Sequence, residues 1–120
     1  MTSAQALHQF WSSFGIPAYE STTVPDDVNT PYITYSVATG YLNDYVSLSA
    51  SVWDRSTSWL FVTDKADEIS RAIGFAGKTI PFDGGYIRLH RGVPFSQRLA
   101  DEDETIRRIY IDIAAEFIAV

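Results

Sequence analysis

The segment from Thr30 to Gly74 constrains the fold of this 120-residue chain more than any other. Thr30–Val37 and Tyr45–Val52 alternate between two sets of side chains, which predicts two strands of a hairpin. An amphipathic helix is predicted directly after them, from Ser58 to Ile73, and Gly74 ends it. A hairpin followed by a helix is a scaffold and holds no catalytic constellation. The segment therefore favours self-assembly over chemistry.

The N-terminal segment predicts a short helix. Ser3 can act as its N-cap, and Gly15 followed by Pro17 ends it. Its apolar stripe recurs at the spacing i, i+3, i+4, i+7 and consists of Leu7, Phe10, Trp11 and Phe14. Three large aromatic residues on one short helix need a wide surface to cover. That surface is either the sheet of the same chain or a partner.

Alternation also predicts the remaining strands. Ala18–Thr23 and Lys78–Phe82 are short, and Tyr86–Arg91 is joined by a long connection to the clearest pattern of the chain, Thr105–Phe117. The length of the last strand suits a central position or contact with a neighbour. We therefore predict a single α+β domain over residues 1–120. Its mainly antiparallel sheet would have about four strands, with two helices packed on one face.

The connection from Gly92 to Glu104 is the segment most suited to binding. A structureless connection of about 13 residues is uncommon in a small domain and is usually functional. Phe95 and Leu99 are apolar anchors within it, and four consecutive acids end it. These acids lack the glycine and the alternating ligands of a calcium loop. We expect them to be solvated or paired with Arg107 and Arg108 of this or a neighbouring chain.

Apolar residues and arginines outside the predicted core are the candidate interface residues. Tyr41 and Leu42 occupy the tip of the first hairpin, where an apolar pair has little reason to lie unless a partner contacts it. Leu60 and Phe61 fall off the apolar stripe of the second helix. The candidates are Tyr41, Leu42, Leu60, Phe61, Phe95, Arg98, Leu99, Arg107 and Arg108.

Charge is distributed unevenly along the chain. The formal net charge is −6, and all nine Lys and Arg residues lie from Arg55 onward. An acidic protein repels a phosphate backbone, which argues against tight nucleic-acid binding. The asymmetry either matches an acidic face of one subunit to a more basic face of its neighbour, or simply reflects solvated loops.

The sequence contains none of the common catalytic motifs. A nucleophile elbow, a Walker loop, HExxH and GxGxxG are all absent, and the chain has two His and no Cys. Asp26 and Asp27 lie in a turn rich in Pro and Asn, where we expect them to be solvated. We predict no enzymatic activity, no cofactor and no metal site. No apolar run approaches the ~18 residues of a membrane span, and no signal peptide is visible, so a cytoplasmic origin is expected.

The order of elements resembles the tail terminator proteins of long-tailed bacteriophages, also described as minor capsid, neck or tail-completion proteins. The residues that carry the resemblance are Pro25 through Pro31-Tyr32-Ile33-Thr34-Tyr35, the strand ending in Val52-Trp53-Asp54-Arg55 with the helix after it, and Tyr110-Ile111-Asp112-Ile113. The resemblance covers nearly the whole chain.

The resemblance implies a structural virion protein in the tail or neck, assembled in the host cytoplasm. Such proteins form a homo-hexameric ring that caps the tail tube, stops its polymerisation and joins it to the head connector. The implied partners are the major tail tube protein and the head-completion or connector protein, without a membrane. DNA would pass through the lumen without specific binding, which an acidic lumen favours.

Two alternatives have other roles. The first is a small α+β ligand-binding or regulatory domain, whose strand aromatics Tyr32, Tyr35, Tyr45, Trp53 and Tyr86 would line a pocket. The second is another neck or head-completion adaptor. Head-closure adaptors lean toward small β-barrels, whereas two helices with a four-stranded sheet favour the terminator.

Overall fold

The computed structural model of the chain describes residues 1–39 and 44–120. In chain order, its elements are helix α1 (Ser3–Trp11), a 3₁₀ turn (Ser12–Phe14), strands β1 (Ala18–Glu20), β2 (Tyr32–Tyr35) and β3 (Tyr45–Arg55), helix α2 (Leu60–Ile73), and strands β4 (Lys78–Phe82), β5 (Gly85–Leu99) and β6 (Ile106–Ala119). The strands form one sheet in the order β1-β2-β3-β6-β5-β4.

The prediction of a mainly antiparallel sheet of about four strands is wrong. The sheet has six strands and is mixed, because β1 pairs parallel to β2 with Ala18 opposite Ile33. At the other edge, β4 pairs antiparallel with β5. The two hairpins supply the four central strands, and both short segments extend the sheet at its edges. The protein is still α+β in class.

The sheet curls into a half-barrel around the helices. Helix α1 contacts both edge strands, β1 and β4, while α2 packs on β3, β5 and β6. Six strands spaced about 4.8 Å apart would form a flat sheet roughly 24 Å wide, whereas a helix is only about 10 Å across. A flat sheet could not bring both edges to one helix, so the curl follows from the position of α1.

The hydrophobic core lies between the helices and the concave face of the sheet. The register places Val52 of β3 opposite Ile109 of β6, and Ala50 opposite Ile111, so both central strands turn apolar side chains to the same side. Helix α2 adds Val62, Ala66, Ile69 and Ile73. Full burial of one such aliphatic side chain contributes about 1.5–3 kcal/mol.

Helix α1 begins one residue earlier than predicted. The N-cap is Thr2, whose hydroxyl accepts the Gln5 amide at 3.1 Å, while the Gln5 side chain accepts the Thr2 amide at 2.8 Å. This reciprocal pair is a capping box, and it makes Thr2 a better cap than the predicted Ser3. The predicted end is confirmed, because Gly15 adopts a left-handed φ of 81° after the 3₁₀ turn.

The predicted loop from Gly92 to Glu104 is largely strand. Strand β5 continues to Leu99, so the connection to β6 is only residues 100–105. Pairing with β6 stops at Arg91 and resumes at Ser96 after a bulge. A Cβ at Gly92 would lie 2.6 Å from the Asp112 carbonyl oxygen, so only glycine fits there. The Gly and Pro residues that indicated a loop therefore mark a bulge.

Candidate functional site

The structure gathers three of the predicted interface residues around Trp59. The guanidinium groups of Arg98 and Arg107 lie 4.9 and 5.0 Å from the centre of the Trp59 ring, within the range of cation–π attraction. Arg107 Nη2 also donates to the Thr57 carbonyl oxygen at 2.9 Å. Leu60, which follows Trp59 at the start of α2, is 67% exposed. We refer to Trp59, Leu60, Arg98 and Arg107 as the Trp59 cluster.

The tip of the β5–β6 hairpin adjoins this cluster and is ordered by its own contacts. Asp103 Oδ1 accepts the Thr105 amide at 2.9 Å and the Thr105 hydroxyl at 2.7 Å. Arg55 Nη1 lies 3.4 Å from Asp103 Oδ2 and donates to the Thr105 hydroxyl oxygen at 2.9 Å. The Thr105 hydrogen bonds, followed by Arg55, hold the pKa of Asp103 below its usual range. Within the chain this exposed acid pairs with Arg55, which was not among the two outcomes expected from the sequence, solvation or pairing with Arg107 and Arg108.

An aromatic row crosses the face of the sheet that the helices leave uncovered. The rings of Tyr19 and Tyr32 meet edge to face at 6.1 Å, and those of Tyr32 and Trp53 stack at 6.1 Å with an interplanar angle of 20°. Arg108 continues the row, because its guanidinium lies 4.6 Å from the centre of the Trp53 ring. Arg108 Nε also donates to the buried Ser51 hydroxyl at 2.9 Å. These contacts hold Arg108 against its own sheet.

The remaining predicted interface residues occupy separate places. Phe61 is 37% exposed in the first turn of α2, and Leu99 is half-buried at the end of β5. Phe95 packs against the hydrophobic core from the β5 bulge. Tyr41 and Leu42 lie outside the described residues.

Two apolar side chains that the sequence did not single out are almost fully exposed. Phe75 is 99% exposed in the turn between α2 and β4, and Val93 is 95% exposed at the β5 bulge. Arg91 lies two residues before Val93 and contacts the end of α2. Its Nη2 and Nε both donate to the Ser70 carbonyl oxygen, at 2.9 and 3.1 Å. Isolated exposed apolar residues are ordinary, and the Arg91 contact brings the β5 strand near the bulge close to the end of α2. In the sequence, both Phe75 and Val93 directly follow a glycine, and this was the available signal that they lie in turns or bulges and are exposed.

The aromatic residues that a ligand pocket would need do not converge on one cavity. Tyr35 lies on the concave side, where its hydroxyl is 2.8 Å from His8 Nδ1. Burial, followed by the nearby Glu20 carboxylate, raises the pKa of Tyr35. Tyr32 and Trp53 lie on the opposite face. Tyr45 and Tyr86 are exposed on that face, away from the aromatic row.

A groove of about 320 Å³ runs between α1 and β4. It is lined by Ala6, Gln9, Phe10, Ser13, Lys78, Thr79, Ile80 and Pro81. Over residues 1–39 and 44–120, no three His, Asp or Glu side chains are grouped to hold a metal ion. Within the same ranges, none of the helices combines the length and the apolar character that crossing a membrane requires.

The whole fold is similar to that of a solved virion chain. The comparison covers 97% of this chain and 94% of a chain from the virion of a native gene transfer agent particle, with a TM-score of 0.67 and 15% sequence identity. At this level of identity, the similarity establishes a shared fold. No protein-family model and no curated protein matches the sequence.

Proposed function

We propose that this protein is a structural virion protein, a tail terminator that forms a homo-hexameric ring on the tail tube and joins it to the head connector. The observation that carries the proposal is the similarity to a gene transfer agent virion chain, which extends over nearly the full length of both proteins. The comparison supports the coarser role of a virion protein, and the finer role of tail terminator comes from the separate sequence resemblance.

The shape of the subunit suits a part that has neighbours at two ends. The long β5–β6 hairpin has the acidic tip and the Trp59 cluster at one end, and the β4–β5 turn at the other. Strand β5 has 15 residues, and an extended strand of that length spans about 50 Å. The longest extent of the molecule is 46 Å, so the hairpin runs along the full length of the subunit. In the proposed ring, one end faces the tail tube and the other faces the head connector.

The charge of the chain also suits a ring around DNA. The net charge of −6 disfavours adhesion to a phosphate backbone, so DNA would slide through the lumen without specific binding. A closed ring requires heterologous contacts, in which one surface of a subunit binds a different surface of the next.

Another neck or head-completion adaptor is the second candidate. The observation in its favour is the curl of the sheet into a half-barrel, since head-closure adaptors lean toward small β-barrels. Fractionation of separated particle parts distinguishes the two roles. A terminator stays with isolated tails, whereas a head-closure adaptor stays with filled heads.

Native mass spectrometry and negative-stain electron microscopy of the purified protein test the ring. We expect an assembly of six times the 13.4 kDa chain mass and six-fold class averages with a central opening. A strictly monomeric protein at all concentrations, with or without tail tubes, would contradict the proposal.

A further inference from the structure

The two edges of the sheet carry opposite charge. Residues 15–39, which contain β1, β2 and their connection, include three acids and no Lys or Arg. On the opposite side of the sheet, the edge strand β4, its neighbour β5 and the turn between them, together called the basic edge, carry four basic residues against one acid. That acid, Asp83, is already 2.7 Å from the N-terminal ammonium of Met1. The acidic edge carries Glu20, Asp26 and Asp27, and the basic edge carries Lys78, Arg88, Arg91 and Arg98.

Exposed apolar side chains accompany the positive charge on the basic edge. Phe75 leads into β4, and Val93 and Tyr86 belong to β5; all three are exposed. The Phe75 turn is held beside β5, since a Cβ on Gly77 would lie 2.8 Å from His90 Nδ1. The basic edge therefore combines charge with apolar area, as the surface of a protein partner requires.

The acidic edge offers a matching surface. The connection that contains Asp26 and Asp27 runs from the end of β1 back to the start of β2, the pair of strands at this edge of the sheet. Both carboxylates are exposed, and Val24 and Val28 flank them as half-buried apolar residues. Acids flanked by aliphatic side chains complement a basic edge that bears Phe75.

We infer that the acidic β1–β2 edge of one copy of this chain docks against the basic β4–β5 edge of a second copy. The inference deepens the proposed function and rests on it for the closed ring, because contact between unlike surfaces continues from copy to copy until rotation closes it. A two-fold contact that joins basic edge to basic edge would oppose like charges and is disfavoured. Exposed ion pairs each contribute little, so the charges select and orient the neighbour while the apolar residues supply most of the affinity.

Paired charge reversals test the contact. The first variant, Asp26→Lys with Asp27→Lys, reverses the acidic edge, and the second, Lys78→Glu with Arg88→Glu, reverses the basic edge. All four side chains are exposed. Sedimentation velocity should show at least a 10-fold rise in the dissociation constant for self-association of each variant, because exposed charges that meet like charges repel. An equimolar mixture of the two should assemble within about 3-fold of the wild-type affinity, because each reversed edge then meets its opposite charge.

A matched control and an apolar variant complete the design. Glu102→Lys with Glu104→Lys makes the same change in net charge as the first variant, but at the hairpin tip, and should assemble as the wild type does. Phe75→Ser should weaken assembly at least 10-fold while leaving thermal unfolding of the monomer unchanged.

The outcomes separate the edge contact from the proposed function. Edge reversals that leave a wild-type hexamer intact, or variants that fail to associate on mixing, would overturn the edge contact and leave the ring proposal standing. Assembly that responds to the edge reversals but closes at another number of subunits would support the contact and contradict the hexamer. A wild-type protein that never self-associates would overturn both.

Discussion

Phe95 offers a sharp test of the fold, because the structure assigns it a role that the sequence did not. As an anchor in a loop it would have been dispensable for stability. Instead, the ring packs against the core from the β5 bulge. We predict that Phe95→Ser destabilises the subunit, whereas Val93→Ser, two residues away and 95% exposed, does not.

The magnitude follows from the burial of the ring. Truncating a fully buried Phe costs about 3–5 kcal/mol, and Phe95 is only partly buried, so we expect a smaller loss of about 2 kcal/mol in the free energy of unfolding. For a domain of this size, that loss lowers the melting temperature by roughly 8 °C. The exposed control should change the free energy of unfolding by less than about 0.5 kcal/mol.

Urea denaturation followed by tryptophan fluorescence measures the difference. The experiment is done at a protein concentration where light scattering gives the mass of one chain, so that assembly adds nothing to stability. The midpoint should fall for Phe95→Ser at an unchanged m-value. Equal midpoints for Phe95→Ser and Val93→Ser would refute the packing of the bulge against the core.

Three further predictions follow from local contacts. Thr2→Ala removes the capping box and should lower the free energy of unfolding by about 1 kcal/mol in urea denaturation. Thr2→Ser keeps the hydroxyl and should keep the wild-type stability. Equal losses of stability in the two variants would contradict the role of Thr2 as the cap. Carbon NMR titration should find the pKa of Asp103 below the ordinary value, and Thr105→Val should raise it; an unmoved pKa would exclude the Thr105 hydrogen bonds as the cause. Since this folded-state pKa is depressed, its contribution to stability is present above the unfolded-state pKa and is lost as the pH falls through the folded-state pKa. Gly92→Ala forces a Cβ to 2.6 Å from the Asp112 carbonyl oxygen and should destabilise the subunit by about 2 kcal/mol in the same urea assay. If the variant is as stable as the wild type, the bulge has room for a Cβ and the close approach of Gly92 to β6 is contradicted.

Local patterns located the elements but not all of their partners. The alternation of β6 and the glycines that end the two helices, Gly15 and Gly74, are properties of neighbouring residues, so the sequence was sufficient for them, whereas both helix starts differ from the prediction. The parallel pairing of β1 with β2 is not local, because a three-residue strand carries no signal of the direction of its partner. The sequence indicated six strand segments but not which of them join one sheet, so the sheet was predicted with too few strands.

The β5 bulge and the Trp59 cluster show why the candidate site was harder to predict. Gly92 and Pro94 are types depleted in strands, so they indicated a loop. The strand includes them because the bulge leaves them outside the ladder. Arg98 and Arg107 reach Trp59 from two strands far along the chain, and only the register of β5 with β6 brings them together.

Gold-labelled antibody electron microscopy of particles from the source organism tests the central claim most directly. If the protein is a tail terminator, the label should appear at one position per particle, at the joint between head and tail, and should remain on tails that have lost their heads. Particles without label, with the protein recovered only in the particle-free fraction, would contradict a structural role in the virion.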